Sequence, residues 1–154
     1  MATIEEVNTR LNALINNLKP QARRALARNI GQQLRKNQAK RIASQQNPDG
    51  SAFEPRKSQK QLRKKKGRIK RKAMFAKIRT AKHLRFRAET NGIKVGFNGG
   101  TAAIANIHQQ GLKARVRKDR DYKVQYAQRE LLGFSDEDKE LIEELVIEQL
   151  RFRN

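Results

Sequence analysis

The sequence predicts an α+β fold in which long N-terminal helices and an acidic C-terminal helix pack on a small antiparallel sheet, with a basic loop excursion. Apolar residues recur at helical spacing near both ends of the chain, whereas near the middle they alternate with charged residues on both sides of an Asn-Gly pair. We expect a single domain over residues 1–154, with helices in 3–46, a basic arm in 56–72, a hairpin in 83–98 and a C-terminal helix in 136–151.

The N-terminal helices are predicted from a capping signal and a proline. Thr3 and Glu6 match a capping box. The apolar residues that follow at helical spacing are Ile4, Val7, Leu11, Leu14, Ile15 and Leu18. Pro20 favours a break and then a second helix of about 25 residues, because proline suits the first helical position. That helix is predicted to carry Leu26, Ile30, Leu34 and Ile42 on one side, and Arg23, Arg24, Arg28, Arg35, Lys36, Lys40 and Arg41 on its other faces. The turn signal at residues 47–50 ends it.

The clearest strand signal surrounds Asn91-Gly92, a preferred pair for a two-residue type I′ turn. Such a turn predicts that Thr90 lies opposite Ile93, Ala88 opposite Val95 and Phe86 opposite Phe97, with Glu89 opposite Lys94 on the other face. We therefore expect Phe86, Ala88, Val95 and Phe97 to face a core, with Arg85 and Arg87 in solvent. Two strands alone are not stable, so helices must cover the apolar face.

The last third of the chain is predicted to contain two helices. Thr101 to Gln110 forms a short one with Ile104 and Ile107, closed by Gly111, and residues 112–128 form a loop and an edge strand. Ser135 and Asp138 are typical of a helix N-terminus. The buried stripe of the last helix is predicted to be Leu141, Ile142, Leu145, Val146 and Leu150.

Composition excludes several classes of protein. The chain has no cysteine and only His83 and His108 as histidines, so we predict no disulfide frame and no thiolate or multi-histidine metal site. No apolar run approaches the roughly 20 residues that span a bilayer, and the polar N-terminus does not resemble a signal peptide, so we expect no membrane partner. No nucleophile and orienting acid stand beside a base. We therefore predict no catalytic, metal-binding or cofactor-binding residues, and no enzyme.

The charge of the chain is high and uneven. There are 36 Lys and Arg against 15 Asp and Glu, a net charge of +21, and 16 of the basic residues lie between Arg56 and Arg87 without a single acid. A block this basic indicates a nearby polyanion or acidic protein surface; the alternative is a solvated loop. The predicted DNA- or partner-contacting residues are Arg63, Lys64, Lys65, Lys66, Arg68, Lys70, Arg71 and Lys72. Because no aromatic residue is interleaved with them, they do not form a base-stacking platform.

Three stretches carry a family resemblance when they are read in order. The first is Asn47-Pro48-Asp49-Gly50 with Phe53 and Pro55; the second is residues 93–96 followed by 103–111; the third is residues 129–136. Together they resemble the phage virion morphogenesis family, the tail completion proteins of contractile-tailed phages. The motif residues, which we expect to be structural, are Pro48, Asp49, Gly50, Phe53, His108, Gln109, Gly111, Arg129, Leu132 and Gly133.

The resemblance implies a structural protein of the phage neck or tail, which forms a ring at the head-proximal end of the tail and enables head–tail joining. It favours a hexamer, with other phage tail and neck proteins as partners and non-specific contact with DNA in transit. It also implies assembly in the host cell cytoplasm and a final place in the neck or tail of the virion.

Two points follow from the charge distribution. The acids Glu140, Glu143 and Glu144 of the last helix are candidate subunit-interface residues, because a head-to-tail contact would set them against a basic surface of the next subunit. The alternative function is a stand-alone basic nucleic-acid-binding protein, which accounts for the +21 charge directly. It predicts tight, salt-sensitive DNA binding by a monomer or dimer, whereas the neck protein predicts a closed ring and weak binding of free DNA.

Overall fold

The computed structural model describes residues 9, 12, 13, 15–56, 73–89, 92–115, 119 and 121–152. Its helices are α1 (Pro20–Ala43), α2 (Gly99–Gln110) and α3 (Asp136–Phe152). Its strands are β1 (Leu84–Glu89), β2 (Gly92–Phe97), β3 (Lys113–Arg115) and β4 (Lys123–Gln125), paired as two two-stranded sheets. This content confirms the predicted α+β fold.

Several predicted features lie outside the described residues. They are the capping box at Thr3 and Glu6, the apolar positions Ile4, Val7, Leu11 and Leu14, the turn residue Asn91 and the basic arm from Arg63 to Lys72. The described residues divide into two compact units, and the single domain stays a prediction.

The first unit comprises the described residues within Met1–Asn37, Phe86–Val95 and Phe134–Asn154. Its core is aliphatic: Leu18, Leu26, Ile30, Leu34 and Val146 are buried. Ile93 and Val95 of β2 pack against this cluster, as do Ile142, Leu145 and Leu150 of α3. The predicted covering of the hairpin by helices is thus confirmed. The backbone of α1 lies close to β1 at Gly31, where an added Cβ would be 2.5 Å from the Phe86 ring.

A capping box begins α3, as Ser135 and Asp138 predict. The Ser135 hydroxyl accepts from the Asp138 N–H and the Asp138 carboxylate accepts from the Ser135 N–H, both at 3.1 Å. Asp138 is buried and also accepts from the Asn37 side chain at 3.0 Å. The start of α3 is therefore fixed to α1 within this unit.

The β1–β2 hairpin has the predicted faces but not the predicted register. Phe86, Ala88, Val95 and Phe97 are partly buried, whereas Arg85 and Arg87 are exposed. Gly92 is already the first residue of β2 instead of a turn residue. The predicted pairing would place Asn98 opposite Arg85, but its N–H donates to the carbonyl of His83 at 3.0 Å.

The register error is therefore two residues, which leaves every side chain on its predicted face because strands have a period of two. Burial alone cannot distinguish these two registers. Asn98 distinguishes them at the open end of the hairpin, because its side chain also donates to the preceding carbonyl, that of Lys82, at 3.3 Å. Glu89 and Lys94 still form an exposed ion pair at 3.7 Å.

The second unit comprises the described residues within Gln38–Arg85 and Gly96–Gly133. Ile42, Phe53, Met74, Ala105 and Leu131 form its buried core. A small ribbon completes it, since β3 and β4 pair antiparallel with Ala114 opposite Val124. In α2 Ile104 is exposed and Ile107 is partly buried, whereas the small Ala105 is buried in the core.

Candidate functional site

The ten motif residues all lie in the second unit, and their contacts join four chain segments there. The segments are the turn after α1, the chain around Met74, the end of α2 and residues 128–133. We call this arrangement the motif cluster. Its members are Pro48, Asp49, Gly50, Phe53, His108, Gln109, Gly111, Arg129, Leu132 and Gly133.

The turn at residues 47–51 is closed by its own side chains. Gly50 has a φ of +90°, which favours glycine, and its N–H donates to the Asn47 carbonyl at 2.9 Å. The Asp49 carboxylate accepts from the hydroxyl of Ser51 and, at 2.9 Å, from its N–H. These bonds, the hydroxyl's first, lower the pKa of Asp49. The turn is thereby a preformed shape that other segments can contact.

The turn is joined to the third motif stretch at two points. The Asn47 side-chain oxygen accepts from the Glu130 N–H at 2.9 Å. Pro48 lies so close to Gly133 that an added Cβ there would be 2.5 Å from the proline Cγ. Glycine at 133 is therefore required by close packing against the proline ring.

Arg129 is the central buried cation of the motif cluster, with 6% of its surface exposed. Its guanidinium donates to the carbonyls of Glu54 at 2.7 Å and Pro55 at 3.1 Å. Its own N–H donates to the His108 carbonyl at 2.8 Å. Burial lowers the pKa of Arg129. The guanidinium thus donates to backbone carbonyls of the segment that leads into the basic arm.

His108 lies between two aromatic rings and beside Arg129. Its ring centroid is 4.8 Å from that of Phe75 and 5.1 Å from that of Tyr126, both edge-on. Phe75 in turn meets Phe53 edge-on at 5.8 Å. Burial, followed by the charges of Arg129 and Arg56, lowers the pKa of His108 to about 4. The imidazole is therefore neutral at pH 7, and its Nδ1, 3.5 Å from the Arg129 guanidinium, acts as an acceptor.

Three glutamines each hold both backbone groups of one distant residue. The side-chain amide of Gln109 donates to the Leu132 carbonyl at 2.9 Å and accepts from its N–H at 3.0 Å. Gln45 binds Met74 in the same way, at 3.0 and 2.8 Å. Gln38 binds Gly133, at 2.9 and 3.3 Å. Each amide thus replaces the partner that a neighbouring strand would supply.

Arg41 of α1 is the second cation of this kind. Its guanidinium donates to the carbonyls of Gln46 at 2.8 Å, Glu130 at 3.0 Å and Leu131 at 2.7 Å. The sequence pattern placed Arg41 on a face of α1 other than the apolar one, but it did not predict these backbone partners. Three carbonyls of non-helical chain need donors there, and a long guanidinium reaches all of them.

Gly111 ends α2 in the left-handed conformation, with a φ of +64°. The Leu112 N–H donates to the Ile107 carbonyl at 2.9 Å and the Gly111 N–H to that of His108 at 3.3 Å, the pattern of a Schellman motif. An added Cβ would also lie 3.1 Å from the Gln128 backbone nitrogen. The predicted closure of this helix by Gly111 is confirmed.

The chemistry of the motif cluster is that of a structural brace. Its polar side chains are directed at backbone groups, its histidine is held neutral, and no group of three or more potential metal ligands occurs in the part of the chain that the structure describes. Nor does any helix among the described residues have the length and apolar character needed to cross a membrane.

The remaining predicted site residues are placed as follows. The eight basic residues from Arg63 to Lys72 lie outside the described residues. Glu140, Glu143 and Glu144 are exposed on α3, in the first unit. Sequence reasoning missed Gln38, Gln45 and Phe75, which contact the motif cluster or the chain segments that it joins. The signal for Gln38 was its position between Leu34 and Ile42 on the apolar side of α1.

The motif residues thus brace a turn, a helix end and loop segments of the second unit, and comparison with known proteins gives the family. Residues 2–151 match the model of the phage virion morphogenesis family. The chain is also 41% identical to "Tail completion protein S" of Escherichia phage P2 over 151 residues, which cover 97% of this chain and 99% of that protein. The chain therefore belongs to the phage virion morphogenesis family. No solved structure matches it significantly.

Proposed function

We propose that this protein is a structural tail completion protein, which forms a ring at the head-proximal end of the tail and enables head–tail joining. The observation that carries the proposal is the nearly full-length similarity to a protein named for tail completion. Because the similarity includes both units, the whole fold and not one motif is shared. We favour six copies, with other tail and neck proteins as partners, assembly in the host cytoplasm and a final place in the virion.

The motif cluster supports a structural and not an enzymatic role. Its residues brace the backbone, and a nuclease would instead need acids that converge on a divalent cation. In the described residues Asp138 of α3 is buried as a cap, whereas the other acids of this helix, among them Glu140, Glu143 and Glu144, are exposed. We therefore propose that the protein contributes binding surfaces and shape to the virion, and no catalysis.

The basic arm is proposed to act at one of those binding surfaces. Arg129 holds the carbonyls of Glu54 and Pro55, and Gln45 holds Met74, so both ends of the arm begin from fixed points of the second unit. We favour docking on an acidic surface of a neck or tail protein, because a strongly basic lumen would retard the DNA that passes through it. Non-specific phosphate contact with DNA in transit is the second possibility, since neutralising phosphates requires no base reading.

The test of the proposal combines oligomeric state with biological assembly. The purified protein is expected to form a closed ring by native mass spectrometry, and to restore infectious particles when it is added to tails made without it. A stand-alone nucleic-acid-binding protein would instead remain a monomer or dimer, and would bind duplex DNA with a steep salt dependence of about 0.9 per phosphate contacted. A monomer that binds DNA tightly and leaves tails unchanged would contradict the proposal.

The arm is tested by replacing Lys64, Lys65, Lys66, Arg68, Lys70, Arg71 and Lys72 with Ser or Gln. The matched control replaces an equal number of exposed basic residues elsewhere: Lys19, Lys77, Lys82, Arg85, Arg87, Lys113 and Lys123. Docking predicts rings that form but do not join heads. Contact with DNA predicts particles that join but retain or eject DNA abnormally. Normal infectious particles would remove both roles from the arm.

A further inference from the structure

The outward face of α3 is acidic and exposed. Asp136, Glu140, Glu144 and Glu148 are spaced four residues apart, and all four are exposed. None of them takes part in an ion pair with another residue of the described chain. Side chains at this spacing form one continuous ridge of a helix, the kind that packs against a second helix.

Beside this ridge lies an exposed isoleucine. Ile147 is 55% exposed, and it is spaced three or four residues from Glu143, Glu144 and Arg151. Covering a large aliphatic side chain with a partner is favourable, because it removes apolar surface from water. The face therefore offers charges for alignment and one apolar residue for burial.

The same unit carries a basic ridge of matching period on α1. Arg24, Arg28, Gln32 and Lys36 are also spaced four residues apart, and all four are exposed. None of the three basic residues is in an ion pair with a described residue. Four helical residues rise about 6 Å, so the charges of the two ridges repeat at the same interval.

The two ridges cannot meet within one subunit. α1 and α3 share the core of the first unit through other faces, namely Leu26, Ile30 and Leu34 of α1 and Val146 of α3. The acidic and basic ridges are left exposed by that packing. A contact between them must therefore join two copies of the chain.

We propose that the acidic ridge of α3 in one subunit docks on the basic ridge of α1 in the next, which rests on the ring of the proposed function. The two surfaces differ, so the contact is head-to-tail, the kind that forms a ring when the rotation between successive subunits closes. Packing of two such ridges is the commonest class of helix contact, with axes crossing at about −50°. The occupant is a second copy, because each copy carries the complementary ridge, while DNA would be repelled by the acids.

The test is a charge swap on the full-length protein. Glu140→Lys with Glu144→Lys, and separately Arg24→Glu with Arg28→Glu, should each weaken ring formation by about tenfold or more, because like charges then oppose each other. The variant with all four changes should form rings again. The matched control for the first pair is Asp119→Lys with Asp121→Lys, which makes the same change in net charge on exposed acids of the other unit and should leave assembly unchanged.

Sedimentation velocity at two salt concentrations measures the assembly, and circular dichroism of each variant verifies its fold. Recovery of rings in the four-change variant supports the contact. The proposed contact would be overturned if either two-change variant formed rings as well as the wild type does, or if the four-change variant folded but stayed dissociated. Neither result would contradict the ring of the proposed function. Reversed acids that spare the rings but abolish binding to tails would assign α3 to another protein. A wild-type protein that forms no ring would instead contradict the proposed function itself.

Discussion

The two units of the molecule are stabilised by different kinds of interaction. The first is held by aliphatic side chains, with Leu26, Leu34 and Val146 at its centre. The second also has an apolar core, but its loops are fixed by polar side chains that hydrogen-bond to backbone groups, above all the buried Arg129 and the partly buried Arg41. Apolar burial has no direction, whereas a hydrogen bond demands a particular atom at a particular place. The first unit should therefore tolerate substitutions that change the shape of a core side chain but keep its volume. The second unit should be destabilised by substitutions that keep the size of a side chain but remove its hydrogen-bonding groups.

The strongest test of this contrast is the substitution of Arg129. Arg129→Met keeps much of the side-chain volume but removes the charged donors to Glu54 and Pro55, and each such bond contributes about 1.5–3 kcal/mol. We expect a loss of about 4 kcal/mol in the free energy of unfolding, measured by urea denaturation. Arg129→Lys should recover less than half, since an ammonium lacks the planar fork. Full recovery by lysine would show that charge alone, without geometry, stabilises the second unit.

The matching test in the first unit is Leu26, which is buried on α1. Leu26→Ala should lower the free energy of unfolding by about 3 kcal/mol, because it removes buried methyl groups and leaves a cavity. Leu26→Met should cost less than about 1.5 kcal/mol, since volume is nearly kept. Similar losses for Met and Ala in the same urea experiment would contradict the tolerance that we ascribe to this unit.

A smaller effect is expected for the glutamine that holds Leu132. In Gln109→Glu the carboxylate still accepts from the Leu132 N–H, but it cannot donate to the Leu132 carbonyl and instead repels it. We expect a loss of about 2 kcal/mol, the cost of an unsatisfied partly buried group. Gln110→Glu is the control, because the neighbouring residue is exposed and should change stability by less than about 0.5 kcal/mol. Equal effects at 109 and 110 would attribute the loss to net charge.

The smallest expected effect is the pH dependence of His108. Its folded pKa of about 4 lies below its ordinary value of 6.5, so the unfolded chain binds the proton more readily. Its contribution to stability is complete above pH 6.5 and is lost as the pH falls toward 4, by about 1–2 kcal/mol after solvent screening of the half-buried ring. Stability curves at pH 7 and pH 4.5 measure it, with His108→Gln as the variant that should lack this component. If the wild type and the variant lose the same free energy of unfolding between pH 7 and pH 4.5, another group is responsible for the pH dependence.

The elements of both units could be predicted because periodicity and capping are local. The helix that begins at Pro20, the capping box at Ser135 and the faces of the hairpin follow from residues within a few positions of one another. The hairpin register did not follow, since a slip of two residues leaves burial unchanged and only the bonds of Asn98 distinguish the alternatives. An alternation of apolar and polar residues cannot distinguish two registers that differ by two residues.

The motif cluster could be predicted only in part. The resemblance pointed to His108, Gln109 and Arg129, but not to their partners. A glutamine on a helix has the same sequence pattern whether its amide meets water or a backbone 95 residues away, as Gln38 meets Gly133. Contacts of this kind depend on tertiary approach, which local propensity does not encode.

The segments that precede and follow the basic arm contact each other. Phe53 precedes the arm and Phe75 follows it, and their rings meet edge-on with centroids 5.8 Å apart. Arg129 and Gln45 hold the neighbouring backbone carbonyls of Glu54 and Met74. Because the flanking segments are held to each other, we expect the stability of the second unit to depend little on the length of chain between them, since each doubling of loop length costs only about 0.6 kcal/mol. We therefore expect insertions, deletions or a peptide-bond cut within residues 57–72 to leave the fold of the second unit in place, and a new sequence there to give the same scaffold a different partner.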